Sequence, residues 1–145
     1  MIEILCKLVV YGREIDFDSL VECVGVPGMT RRRKRAWGAE GWHPSDTWWV
    51  EARSCGSAAR PADSAAGWEY PSVEGPTASV LAMVGGREES LRDYCDRHGL
   101  EIIMLEVVFS GDAALPIMTF SPEVMQVLGK LRATLDFDIY THRDE

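Results

Sequence analysis

The chain has 145 residues, 46% of them hydrophobic, and 23 acidic against 15 basic side chains give it a net charge of −8. That length suits one domain burying about 70% of its unfolded surface, and the apolar content excludes a disordered chain. No apolar run reaches the length of a membrane span and no signal-peptide pattern opens the chain. The acidic balance disfavours nucleic acid and anionic membrane, so a cytoplasmic protein drawn to basic protein surfaces is expected.

Ile2 to Tyr11 alternates as a first strand. Ile2, Ile4, Cys6, Leu8 and Val10 share one face, and the other face is only partly polar, which places this strand centrally in a sheet. Asp16 is a suitable N-cap for a helix carrying Phe17, Leu20, Val21 and Val24, and Gly25 suits its left-handed stop. Gly28 to Asp46 reads as a loop. It holds the basic run Arg31, Arg32, Arg33, Lys34 and Arg35, followed by Trp37, Trp42 and His43. Residues 31–60 carry seven basic and three acidic side chains, a local excess of four positive charges in an acidic protein.

The second predicted strand runs from Thr47 to Ser54, with Trp48, Val50 and Ala52 on one face and Trp49, Glu51 and Arg53 on the other. Cys55 to Pro76 is rich in Gly, Ala, Ser and Pro. It reads as a long surface excursion that the fold can spare. A helical stretch from Thr77 or Ser79 to Val84 is interrupted by Gly85-Gly86. Arg87 to His98 resumes it with Leu91, Tyr94, Cys95 and His98 on one stripe, and Gly99 caps it. Leu100 to Phe109 is a strand. Ser110-Gly111-Asp112 is predicted to turn it, and Leu115 to Phe120 to pair back as a hairpin near a sheet edge, since Pro116 lacks an N–H.

Ser121, Pro122 and Glu123 combine a capping oxygen, a residue suited to the first helical position and an acid at the positive end of the dipole. Val124, Val127, Leu128 and Leu131 follow at helical spacing. Near Ala133 the period changes. Leu135, Phe137 and Ile139 are predicted to form the buried face of a closing strand, with Asp136, Asp138 and Tyr140 toward solvent. The order β-α-β-α-β-β-α-β is that of a single α+β domain over residues 1–145. It has a mainly antiparallel sheet with helices on one face, loosely similar to ferredoxin-like folds.

The run from Phe120 to Tyr140, with its Ser-Pro-Glu helix, Leu-Gly pair and Leu-Asp-Phe-Asp-Ile-Tyr strand, resembles the close of a bacterial family of small domains of unknown function, the one numbered 4279. The likeness extends over most of the chain. Asp16 to Pro27 resembles that family's helix ending in Gly-Xaa-Pro, and Trp48-Trp49-Val50 its central tryptophan strand. Cys55 to Pro76 departs from the pattern most. These motifs are structural. The resemblance implies the fold and carries no catalytic signature.

Cys6, Cys23, Cys55 and Cys95 are scattered without a Cys-Xaa-Xaa-Cys pair, so free thiols in a reducing compartment are expected and no metal or cofactor is implied. His98 sits where a histidine stabilises the end of a helix. Asp136 and Asp138 are one pleat apart, roughly 7 Å. A divalent cation or a carboxylate pair can use that spacing, but an exposed strand face commonly carries acids to stay soluble. No nucleophile elbow, P-loop or dinucleotide motif is present, so no catalytic residue is assigned.

Three functions follow. The first is a non-catalytic domain, most concretely a bacterial immunity protein or antitoxin, that binds a basic partner protein through Asp136, Asp138, Tyr140, Trp37, Trp42 and His43. The second is a small ligand-binding domain or enzyme with a tryptophan-lined pocket near Trp37 and Trp49. The third is a nucleic-acid binder using residues 31–35.

Overall fold

The computed structural model describes residues 1–32, 46–56, 71–111 and 114–141. Nine elements follow in chain order: β1 (Ile2–Gly12), α1 (Phe17–Val24), β2 (Met29–Arg32), β3 (Asp46–Gly56), α2 (Glu74–Met83), α3 (Glu88–His98), β4 (Glu101–Ser110), α4 (Pro122–Leu131) and β5 (Thr134–Thr141). The strands form one mixed sheet in the order β2-β3-β1-β4-β5. β1 is central, antiparallel to both β3 and β4. β2 pairs antiparallel with β3, and β5 runs parallel to β4. The fold is α+β.

Alternation along the strands divides the sheet into two faces. Inward side chains of β1 (Cys6, Leu8, Val10), β3 (Trp48, Val50) and β4 (Ile102, Met104) share one buried core with Leu20 and Val24 of α1, Val80 and Leu81 of α2, Leu91, Tyr94 and Cys95 of α3, and Val124, Leu128 and Leu131 of α4. All four helices therefore cover one face. Among the described residues, no helix covers the opposite face, where Leu5, Val9 and Trp49 are half-buried.

The helix ends follow the local chemistry. Asp16 accepts from the Ser19 amide at 3.2 Å and Ser121 from the Val124 amide at 3.4 Å, each meeting an otherwise unpaired helical donor. Arg92 is mostly buried on α3, where it ties that helix to the end of α4 and to the link into β4. It donates to the carbonyls of Leu131 and Leu100 at 3.2 and 3.4 Å and pairs with Asp96 at 2.8 Å. Gly25 ends α1 in the left-handed region at φ 78°, donating to Val21 O. Gly25→Val is expected to cost on the order of 1–2 kcal/mol, from backbone conformation alone. A denaturation midpoint unchanged from wild type would show that this turn relaxes freely.

Four expectations are corrected. Leu115–Phe120 is not a returning strand: Ile117 makes only an isolated parallel bridge to Ser72, and α4 instead crosses over to deliver β5 parallel to β4. Pro116 cannot extend a ladder, and Ile117 is already engaged, donating to Pro71 O at 2.8 Å and accepting from Val73 N at 3.0 Å. Arg31 and Arg32 are not in a loop but in the edge strand β2, opposite Thr47 and Asp46. Of the excursion predicted over 55–76, residues 57–70 lie outside the described residues, and both flanking ends belong to the fold. Cys55 and Gly56 complete β3, Val73 is fully buried against Ile2, Ile4 and Val108, and Glu74 to Pro76 open α2. Glu74 also accepts from the Ser121 amide at 2.6 Å, and hydrogen bonding from the Ser121 side chain and then its backbone holds the Glu74 carboxyl below the usual range. Residues 71–76 are thus part of the fold rather than spare length. Finally, the apolar face of β5 is not buried: Leu135 and Ile139 are exposed and Phe137 is half-buried.

Candidate interaction surface

Among the described residues, β5 is the last strand on its side of the sheet, and its exposure follows from that position. A strand within a sheet has a neighbour on each side, whereas an edge strand has one. The β4–β5 register sets Asp136 beside Leu105, Asp138 beside Val107 and Tyr140 beside Phe109, on the face without helices. The Phe109 and Tyr140 rings stack at 5.2 Å between centroids and 15° between planes. On the other face, Phe137 reaches Phe120 at 6.4 Å, while Leu135 is 36% and Ile139 42% exposed. Tyr140 is 52% exposed. One strand thus presents two carboxylates and a stacked phenol on one side and two aliphatic side chains on the other. The strand alternation separates the two sets as the sequence predicts, and the structure brings Asp136, Asp138 and Tyr140 together on one exposed edge.

The remaining predicted site residues do not join them. Arg31 and Arg32 lie on β2, at the opposite edge of the sheet. Arg32 is held in place: its guanidinium donates to Ile15 O at 3.2 Å, lies 3.8 Å from the buried Asp46 carboxylate and sits over the Phe17 ring at 5.0 Å. Asp46 in turn accepts from the Ile15 amide at 2.8 Å. Arg32 therefore serves the fold first. It borders an open cleft of about 630 Å³ with Arg13, Glu14, Asp16 and His98, whose charges are mixed in sign. His98 ends α3 and packs on Tyr94 with ring centroids 4.2 Å apart. Arg33, Lys34, Arg35, Trp37, Trp42 and His43 lie outside the described residues. Of the two described tryptophans, Trp48 is fully buried and donates from Nε1 to Pro27 O at 3.0 Å. Trp49 is half-buried, with Lys7 Nζ 5.3 Å from its ring.

Sequence reasoning passed over one buried polar group. Glu106, on β4, is completely buried and points into the helix-covered face. Its Oε1 contacts the Thr77 hydroxyl of α2 and lies 3.4 Å from Cys6 Sγ of β1. Its Oε2 has no hydrogen-bond partner among the described residues. Burial pushes the Glu106 carboxyl up. The geometry points the same way. Thr77 Oγ1 is also 2.8 Å from Val73 O, and a hydroxyl has one hydrogen. With Thr77 donating to Val73 O, its contact with Glu106 is a hydrogen bond only when the carboxyl is protonated and donates. Burial, with Glu106 beside it, likewise raises the Cys6 thiol far above its usual range, so Cys6 is not an ionised nucleophile. The signal was present in the sequence as an acid in phase with the inward residues Ile102, Met104 and Val108.

A family model described as a domain of unknown function (DUF4279) matches residues 2–142. The chain belongs to this family. No curated protein and no solved structure matches it. The family match covers every element of the DUF4279 fold described above, including β5 and its acidic face. Among the described residues, no helix of this DUF4279 domain is long and apolar enough to cross a membrane.

Proposed function

We propose that this DUF4279 domain is a non-catalytic binding protein whose target is a basic surface on another protein, in the manner of a bacterial immunity protein or antitoxin acting in the cytoplasm. The observation that carries this reading is the exposed edge strand, on which Asp136 and Asp138 stand beside the stacked Tyr140 and Phe109. Carboxylates at an edge steer a cationic partner, and an exposed aromatic pair supplies contact area at low entropic cost. The net charge of −8 acts in the same direction at longer range. The buried acid Glu106 favours no enzymatic alternative, because it is sealed in the core with a thiol and a hydroxyl and reaches no solvent.

The test is affinity capture from the native host with two baits, wild type and the double variant Asp136→Lys, Asp138→Lys. Both substitutions fall on exposed positions, so the fold should tolerate them. A basic protein is expected on the wild-type bait and not on the double variant. Equal recovery on both baits would place the interface elsewhere.

A further inference from the structure

Resting on that reading, we infer that the partner is recognised by strand addition: it contributes an extended segment, with Lys or Arg at alternate positions, that pairs with the outer edge of β5.

Three features of β5 support this. First, the outer edge of β5 carries no paired strand among the described residues, so its outward backbone groups are available to a ladder. Second, the eight residues of β5 contain no proline, lysine or arginine, which edge strands often use to resist pairing. Third, the side chains alternate as a strand-binding edge requires. Asp136, Asp138 and Tyr140 lie on one face and Leu135 and Ile139 on the other, nearly all of them exposed.

The two aspartates also select the occupant. Consider a second copy pairing antiparallel through its own β5. A two-fold axis at Phe137 sets Asp136 of each copy opposite Asp138 of the other, and an axis at Asp138 sets Asp138 opposite itself. Like charges directly opposite are destabilising, so self-pairing is disfavoured in both registers. A second copy pairing through β2 offers only four residues. Of its two arginines, Arg32 is already tied to Ile15 and Asp46, which leaves Arg31 alone on the face of the aspartates. A foreign strand with basic residues at alternate positions instead meets both carboxylates on one face and Leu135 and Ile139 on the other.

The probe is an end-blocked peptide alternating lysine and valine over the eight residues of β5. It is titrated into the full chain by calorimetry, with amide exchange read along β5. Two control peptides are used. One replaces lysine with glutamate; the other is N-methylated at its two central residues, so that both of its edges lose donors. The lysine peptide is expected to bind and to slow exchange of amides in 134–141. N-methylation should weaken binding by about tenfold or more, the equivalent of one or two ladder bonds. Asp136→Lys with Asp138→Lys should reverse the preference toward the glutamate peptide.

Equal affinity for the N-methylated peptide would mean attraction by charge without strand pairing, and would overturn the inference. So would exchange protection elsewhere in the sheet, or self-association of the chain abolished by the double variant. In each of these cases, continued capture of a basic protein by the wild-type bait alone would leave the binding function standing. Equal recovery on both baits would move the interface away from β5, and a basic protein on neither bait would defeat the binding function, whatever the peptides do.

Discussion

Gly28→Ala should unfold this domain far more readily than its size suggests. Gly28 sits at φ 59°, in the left-handed region that a side chain disfavours. A Cβ built there would lie 2.4 Å from Trp48 Nε1 and 2.6 Å from Cε2. The indole cannot swing away cheaply. It is fully buried in the core, and its N–H is held by the carbonyl of Pro27, the residue before Gly28. Backbone strain of about 1 kcal/mol and overpacking of about 1–3 kcal/mol therefore add, for a loss on the order of 2–4 kcal/mol. Against a typical stability of about 5–15 kcal/mol that is a large fraction. Urea denaturation should show a lower midpoint at an unchanged slope. Gly129→Ala is the internal control. Gly129 lies exposed on α4 with nothing within 4 Å of an added Cβ, so the same substitution should stabilise by about 0.5–1 kcal/mol. A neutral Gly28→Ala would show that the Trp48 packing yields.

The second large effect is a dependence on pH centred on Glu106. In the unfolded chain this carboxyl titrates near its ordinary value of 4.5, whereas burial raises it in the fold. Between those two values the folded state holds a proton that the unfolded state has lost. Stability from this group is therefore fully present below 4.5 and falls as pH rises toward the raised folded value, by up to about 1.4 kcal/mol per pH unit. Above the folded value the loss is complete. The groups facing Glu106 are Cys6 on β1, Thr77 on α2 and, in register on β5, Phe137; none is a cation that would restore the ionised form. Glu106→Gln keeps the shape and has an amide N–H to offer Thr77, but it has no proton to lose. Denaturation of both proteins as pH rises from 4.5 should show the variant gaining on wild type until the raised folded value is passed, and a constant difference beyond it. Parallel curves would mean that Glu106 does not titrate with a raised value.

These two positions also show what the sequence could and could not reveal. Periodicity identified β1 as central, separated Trp48 from Trp49, and placed the stops at Gly25 and Gly99, because burial on alternating or helical faces leaves its mark residue by residue. It also set Asp136, Asp138 and Tyr140 on one face of their strand. Lateral neighbours leave no such mark. Leu135, Phe137 and Ile139 alternate as a buried strand does, and only the sheet order shows that β5 is an edge with its apolar side partly bare. Met29–Arg32 pairs as a strand despite a charged, fully exposed composition, since β3 offers it an open edge. Val73 and Glu74 were hidden in a segment of small and polar residues, and their roles come from distant partners, Ile117 and Ser121. The role of Glu106 likewise depends on Thr77, brought to it by a helix from elsewhere in the chain.

The binding account is tested most directly by association kinetics with the captured partner, measured across ionic strength for wild type and for Asp136→Lys with Asp138→Lys. The wild-type rate should fall steeply as salt rises. The double variant should associate about tenfold or more slowly at low salt and respond little to added salt. A double variant that binds as fast as wild type, with the same salt dependence, would contradict it, and the acidic edge of β5 would then be ordinary solvated surface.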